Sequence, residues 1–192
     1  MLIQPETSDA VYKRSLSVVV ILTFILALII PAEAQSTKPS AEFPAEEVLE
    51  FAHYLFSRQE YFRAIGEYKR FLFLYPDDFR APNAALRIAE CYLRGKRWQQ
   101  AVEAADSFLR HYPQSALQWE ARFLKARALD KMGSGEKARA EYQAIIEDRP
   151  GRPLAAEAWY LIGLSYAREG RWLEADEALR RVGKEDTLYG AA

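Results

Sequence analysis

Two histidines and a single cysteine are the side chains of this 192-residue chain best suited to nucleophilic or metal chemistry near neutral pH. A metal site or catalytic dyad would need them at ligand spacing, but His53 and His111 are far apart and Cys91 is not spaced with either as a set. Cys91 stands between Ala89 and Tyr92 on an apolar helical face, where a small core residue is expected, and His111 in the tripeptide HYP is expected at a helix end. The stretch Gly133-Ser134-Gly135-Glu136-Lys137 has glycines and a lysine, as a phosphate loop does. No strand pattern precedes it and its spacing is wrong, so it reads as a turn. Asp77 and Asp78 are neighbours in a proline-containing loop, which suits turn chemistry better than a general acid and base. The chain therefore reads as non-enzymatic, with no catalytic residue, no metal ligand and no cofactor.

The elements that carry these residues repeat. Ala64, Ala101, Ala138 and Ala175 are spaced by 37 residues, and Pro76, Pro113 and Pro150 follow the first three at one interval. A small residue recurs as Ala52, Ala89, Ala126 and Gly163, and a large one as Leu55, Tyr92, Leu129 and Tyr166. After a polar break come Tyr61, Trp98, Gly135 and Trp172. Tyr68, Ala105, Tyr142 and Leu179 then follow, with Phe71, Phe108, Ile145 and Val182 after them. Apolar intervals of three and four residues describe one face of a helix, so each repeat holds two amphipathic helices. The small residues mark close crossings, and proline ends each second helix because it cannot continue the hydrogen-bonded ladder. The predicted fold is all-α, a right-handed α-solenoid of four helix-turn-helix repeats at about 45–81, 82–118, 119–155 and 156–192.

Trp159, Ile162, Gly163 and Tyr166, followed by Ala175, resemble the W-x2-L-G-x2-Y pattern of the tetratricopeptide repeat, and the resemblance spans about residues 45 to 187. Two departures stand out. Arg122 and Lys125 occupy positions that are usually apolar, which makes the first helix of the third copy the least secure, and Thr187 stands where proline would be. The three extra residues per repeat and the Tyr-Pro endings are similar to those of periplasmic proteins. The nearest groups are the outer-membrane assembly lipoprotein BamD and the YbgF-like partner of the Tol-Pal system.

Lys13 and Arg14 precede an apolar run from Leu16 to Ile30, and Ala32-Glu33-Ala34 offers a small-x-small cleavage pattern before Gln35. The run is shorter than the roughly 20 residues a spanning helix needs. Residues 1–34 are therefore read as a signal peptide and 35–44 as a linker, giving a periplasmic protein. The alternative is an uncleaved anchor that leaves the repeats membrane-tethered and facing the periplasm. Only in that case would the protein engage a membrane. The expected mature N-terminus carries no lipidation cysteine and no heptad segment, so BamD and the Tol-Pal partner are both matched in the repeats and mismatched before them. Without residues 1–34 the acidic and basic residues balance, which gives no general attraction to nucleic acid.

In tetratricopeptide repeats the first helix of each hairpin lines a concave groove. The resemblance places Leu49, His53 and Phe56 in its first row, and Leu86, Arg87, Glu90 and Arg94 in its second. Phe123, Arg127 and Asp130 make the third, and Tyr160, Leu164 and Arg168 the fourth. One apolar anchor per row, flanked by charge, suits a protein or peptide segment. Glu90 at a central position opposes an acidic peptide, and mixed charge favours a neutral or alternating one. Trp172, Leu179 and Val182 belong to a terminal hairpin without a capping helix, which leaves three readings of the C-terminal end: it joins further repeats, it binds a partner or self-associates, or its last helix tolerates exposure. The expected function is a non-catalytic scaffold of the cell envelope, in outer-membrane assembly or division. The second candidate is a membrane-anchored regulatory or assembly subunit.

Overall fold

The computed structural model describes residues 44–148 and 153–190, with side-chain environments described as far as Gly183. The expected leader, the linker up to Pro44, and Pro150 lie outside the described residues. Among the described residues there are eight helices and no strand. They are α1 (Ala45–Ser57), α2 (Tyr61–Leu74), α3 (Ala81–Arg94), α4 (Trp98–His111), α5 (Gln118–Lys131), α6 (Gly135–Asp148), α7 (Pro153–Arg168) and α8 (Trp172–Gly190). Each helix packs on its neighbours in sequence, and α3 also touches α5, so the four hairpins form an α-solenoid. None of these helices is long and apolar enough to cross a membrane.

The punctuation of the repeat has a clear physical basis. α2 and α4 end two residues before Pro76 and Pro113, and the intervening Tyr75 and Tyr112, with φ of −131° and −126°, have left the helical region that a following proline disfavours. α8 meets Thr187 instead of proline and continues to Gly190. Within each hairpin the turn is the same αL cap. Gln59, Lys96, Gly133 and Gly170, one per repeat, have φ of 63°, 58°, 79° and 74°. The next residue of each, Glu60, Arg97, Ser134 and Arg171, donates its backbone N–H to the carbonyl five residues back, at 2.9 to 3.0 Å. This is the Schellman closure, which satisfies a helix-end carbonyl that has no partner in its own helix.

Between the helices of each hairpin the predicted small columns are buried: Ala52, Ala89 and Ala126 against Ala64, Ala101 and Ala138. At Gly163 a Cβ would fall 2.7 Å from Leu179 Cγ, so glycine is what lets α7 and α8 approach. Tyr68, Phe71, Phe108, Tyr142 and Ile145 fill the space between hairpins and are fully buried.

The apolar core is not uniform along the stack. One large cluster joins α1 to α3 and another joins α5 to α8. The cluster bridging them at the α4–α5 junction has only Leu93, Ala101 and Ala128 as its buried members. There the two off-pattern cations of the third copy find partners. Lys125 bonds Asp106 of α4 at 2.8 Å and Glu141 of α6 at 2.7 Å, and Arg122 bonds Glu141 at 3.0 Å. Burial alone would lower the Lys125 pKa, but the two carboxylates raise it. α5, the helix whose fit to the repeat is least secure in the sequence, is a regular helix of 14 residues: Phe123, Ala126 and Leu129 lie in the apolar core, and the two off-pattern cations are held by carboxylates beside it.

The third repeat makes one further exchange. Gly135 occupies the aromatic column, where a Cβ would lie 2.4 Å from Glu169 Oε1. In that space Arg139 donates to Ser165 Oγ at 2.8 Å and to the Glu169 carboxylate at 2.6 and 3.0 Å, tying α6 to α7.

Two outcomes are expected in chemical denaturation. Replacing Gln59 or Lys96 by glycine should stabilise the protein by about 0.5–1 kcal/mol, because an L side chain at φ near +60° costs more than the added backbone freedom of glycine. Glu141→Gln should destabilise by about 1–3 kcal/mol, because it leaves two half-buried cations without their shared carboxylate.

Candidate partner-binding groove

The first helices of the hairpins, α1, α3, α5 and α7, carry the thirteen residues expected to face a partner. His53, Arg87, Arg94, Arg127, Tyr160, Leu164 and Arg168 are exposed, and Phe56, Leu86, Glu90 and Asp130 are half-buried. Leu49 and Phe123 lie in the core, Leu49 within the first cluster and Phe123 edge-on to the Tyr142 ring at 5.6 Å. Their side chains offer no surface to a ligand. Both share a column with Leu86 and Tyr160, and the rotation of each helix in its hairpin decides whether that column faces inward or outward.

The second row is built as one unit. Arg87 and Arg94 both pair with Glu90, at 2.6 and 2.7 Å, and both guanidinium groups stand over the Phe56 ring, at 5.0 and 5.2 Å from its centroid. Glu90 therefore does not present an isolated negative charge, and the row as a whole is positive. That weakens the expected repulsion of an acidic segment. His53 beside it lies 5.6 Å from the Tyr68 ring, and burial, then Arg87, lowers its pKa below the usual histidine value.

Further along, α5 and α7 enclose a cleft of about 310 Å³ that includes Arg127, Asp130, Leu164 and Arg168 in its lining. Asp130 pairs with Arg168 across the cleft, and the Arg168 pKa is raised chiefly by that bond. No carboxylate pairs with Arg127 among the described residues, which leaves its charge available. Tyr142 also lines this cleft, and its buried hydroxyl, like that of Tyr68 two repeats earlier, has no hydrogen-bond partner. Burial raises the pKa of both tyrosines, so both stay protonated donors.

The rims of the groove differ in charge. Glu46 and Glu120 occupy the first turns of α1 and α5, whereas Arg94, Lys131 and Arg168 occupy the last turns of α3, α5 and α7. Each group opposes the partial charge of its own helix end, and repetition turns these local preferences into two charged edges.

The residues first considered for chemistry sit elsewhere. Cys91 is fully buried and its thiol is pushed up to about 12, chiefly by burial. His111 is the last residue of α4, exposed, with Nδ1 2.8 Å from the Ser107 carbonyl. Asp78 accepts from the Arg80 backbone at 2.8 Å and side chain at 2.9 Å, and that arginine holds the carboxyl pKa below its ordinary range. Arg80 also reaches Glu46 of α1, so this inter-repeat turn clamps the first two hairpins together. Among the described residues no group of three or more His, Cys, Asp or Glu is placed to hold a metal ion.

Comparison with known proteins gives a consistent picture. The tetratricopeptide repeat family matches residues 119–186, and a family described as outer membrane lipoprotein matches residues 41–133. No curated protein sequence matches the chain. Among solved structures, MamA from Desulfovibrio magneticus RS-1, a chain from residue 41 to its end, superposes with a TM-score of 0.62 at 19% identity. That alignment covers 75% of this chain and 76% of MamA. A further crystal structure of MamA gives 0.62 at 20% identity over 77% of this chain and 81% of its own. At this identity the likeness establishes the fold.

Tyr142→Phe is expected to change the stability of the free protein by less than about 0.5 kcal/mol, since the lost hydroxyl has no partner, whereas Tyr142→Ala should cost about 3–5 kcal/mol. Thermal and urea unfolding of the two variants distinguish an unpaired hydroxyl from a bonded one.

Proposed function

Because this chain is a tetratricopeptide-repeat protein, we propose that it is a non-catalytic scaffold that holds a segment of another protein along the groove formed by α1, α3, α5 and α7. The observation that carries this reading is the cleft between α5 and α7, lined by the exposed Leu164, the unpaired Arg127 and Tyr142, with exposed Tyr160 one turn before Leu164 on α7. Apolar anchors supply affinity there, and the flanking polar groups fix the direction of the bound segment. The two charged rims favour a partner that turns basic side chains towards Glu46 and Glu120 and acidic ones towards Lys131 and Arg168.

The site of action we propose is the cell envelope, on the periplasmic side. The similarity of residues 41–133 to the outer membrane lipoprotein family supports this, as does the leader-like run Leu16–Ile30 with its Ala32-Glu33-Ala34 pattern. Within the envelope, outer-membrane assembly or division is the setting we favour. The alternative, an anchored assembly subunit, keeps the same groove and differs only in retaining residues 1–34.

A photoreactive amino acid at position 127 in producing cells tests the groove. Capture of one envelope protein, lost in the Tyr160→Ala, Leu164→Ala double variant, is the expected result. Absence of any product dependent on those residues would reject the groove as the working surface. Mass spectrometry of the mature chain tests the location: a first residue of Gln35 supports export and cleavage, and an intact Met1 supports the anchored form.

A further inference from the structure

The two ends of the described stack expose positions that its interior covers. The column of Phe51 continues as Ile88, Lys125 and Ile162, and that of Tyr54 as Cys91, Ala128 and Ser165. All six are buried or half-buried because the second helix of the preceding hairpin lies on them. On α1, Phe51 and Tyr54 are instead 44% and 55% exposed, their rings stacked with centroids 6.4 Å apart. On α8, Trp172 and Leu173 are 69% and 85% exposed. We propose that these surfaces are two halves of one interface. In this arrangement α8 of one copy docks on α1 of a second copy, in the register that each second helix uses on the next hairpin, and links the copies head to tail.

The internal contacts define that register. Arg139 of α6 bonds Ser165 of α7 and Glu169 in the turn after it, and Asp106 of α4 bonds Lys125 of α5. Phe62 of α2 lies 3.4 Å from the Cβ position of Gly95, and Trp98 of α4 packs in one cluster with Ala128 of α5. Carried one repeat beyond the fourth, these contacts fall on four pairs between copies. The Arg139–Glu169 ion pair becomes Asp176 with Arg58, the same bond with its charges exchanged. Asp106–Lys125 becomes Arg180 over the face of Phe51, a cation on an aromatic ring. Phe62 on Gly95 becomes Leu173 on the aliphatic stem of Arg58, and Trp98 on Ala128 becomes Trp172 against Tyr54.

None of the four pairs is a like-charge clash, and each half lacks what the other supplies. No carboxylate pairs with Arg58 among the described residues, and Asp176 holds only its exposed neighbour Arg180, one turn away on the same helix. That complementarity favours a second copy over an unrelated protein or residues 1–43 of the same chain. Because the contact joins two different patches, it propagates unless rotation closes a ring. It extends the scaffold reading and is independent of the groove.

The test uses the full chain in two tagged forms, one carrying Arg58→Cys and the other Asp176→Cys, mixed under mild oxidation. The native Cys91 is fully buried and does not compete. A disulfide-linked dimer joining both tags is expected, and a chain carrying both substitutions should give a ladder. In sedimentation, Arg58→Asp should abolish association with an unchanged helical spectrum, and adding Asp176→Arg in the same chain should restore it. Absence of the 58–176 disulfide would overturn the proposal, as would association indifferent to both charge reversals. A disulfide from position 58 to a cysteine placed within residues 1–43 of the same chain would also overturn it, assigning the α1 face to that segment.

Discussion

The closeness of the two helices in each hairpin is the constraint on which the structure depends. Ala52 and Ala64, and the equivalent alanines of the next two repeats, are fully buried, and at Gly163 even a Cβ would fall 2.7 Å from Leu179 Cγ. Backbones held so near one another have a fixed crossing, so the large residues one and two turns further along α2, α4 and α6 must point between hairpins. Tyr68, Phe71, Phe108, Tyr142 and Ile145 then become the contact surface for the next unit. The pitch of the stack and the spacing of the groove rows both follow from interior packing that tolerates few voids.

Repetition alone would also permit a hairpin to pack in the wrong place, since four similar units present four similar faces. The interfaces are kept distinct by their polar contacts. Asp106 meets Lys125 between the second and third hairpins, Arg139 meets Ser165 and Glu169 between the third and fourth, and Arg80 joins Glu46 to Asp78 between the first and second. Half-buried ion pairs add little net stability, because desolvation offsets most of the attraction. A misplaced hairpin would leave these charges unmatched, which costs far more than the correct pairing gains. At the α4–α5 junction the charge cluster stands beside an apolar cluster with only three buried members.

The alanines and prolines made the hairpins readable from sequence, since each acts through a local rule: smallness at a crossing, a missing N–H at an end. The αL caps were less visible. Gly133 and Gly170 advertise a positive φ, but Gln59 and Lys96 take the same geometry without the residue that usually signals it, and only the shared column reveals them. Arg122 and Lys125 read as misfits because their partners, Asp106 and Glu141, come from two other helices. In the groove, Leu49 and Phe123 face the core while Tyr160 faces solvent from the same column. Helical period fixes which residues share a face, but a few tens of degrees of helix rotation decide whether an edge column is inside or out.

The polarity of the groove is the least local consequence. A carboxylate in the first turn of a helix and a cation in the last each answer the dipole of that helix, at a few tenths of a kcal/mol. In a bundle of alternating helices such preferences would cancel across any surface. Here α1, α3, α5 and α7 hold equivalent places in successive hairpins, so their first turns share one rim and their last turns the other. Glu46 and Glu120 therefore stand on one rim and Lys131 and Arg168 on the other, a distribution that is a product of the repeat itself. Under the scaffold function proposed above, such a distribution of charge would orient a bound segment about its own axis, which leaves to apolar anchors such as Tyr160 and Leu164 the choice of register.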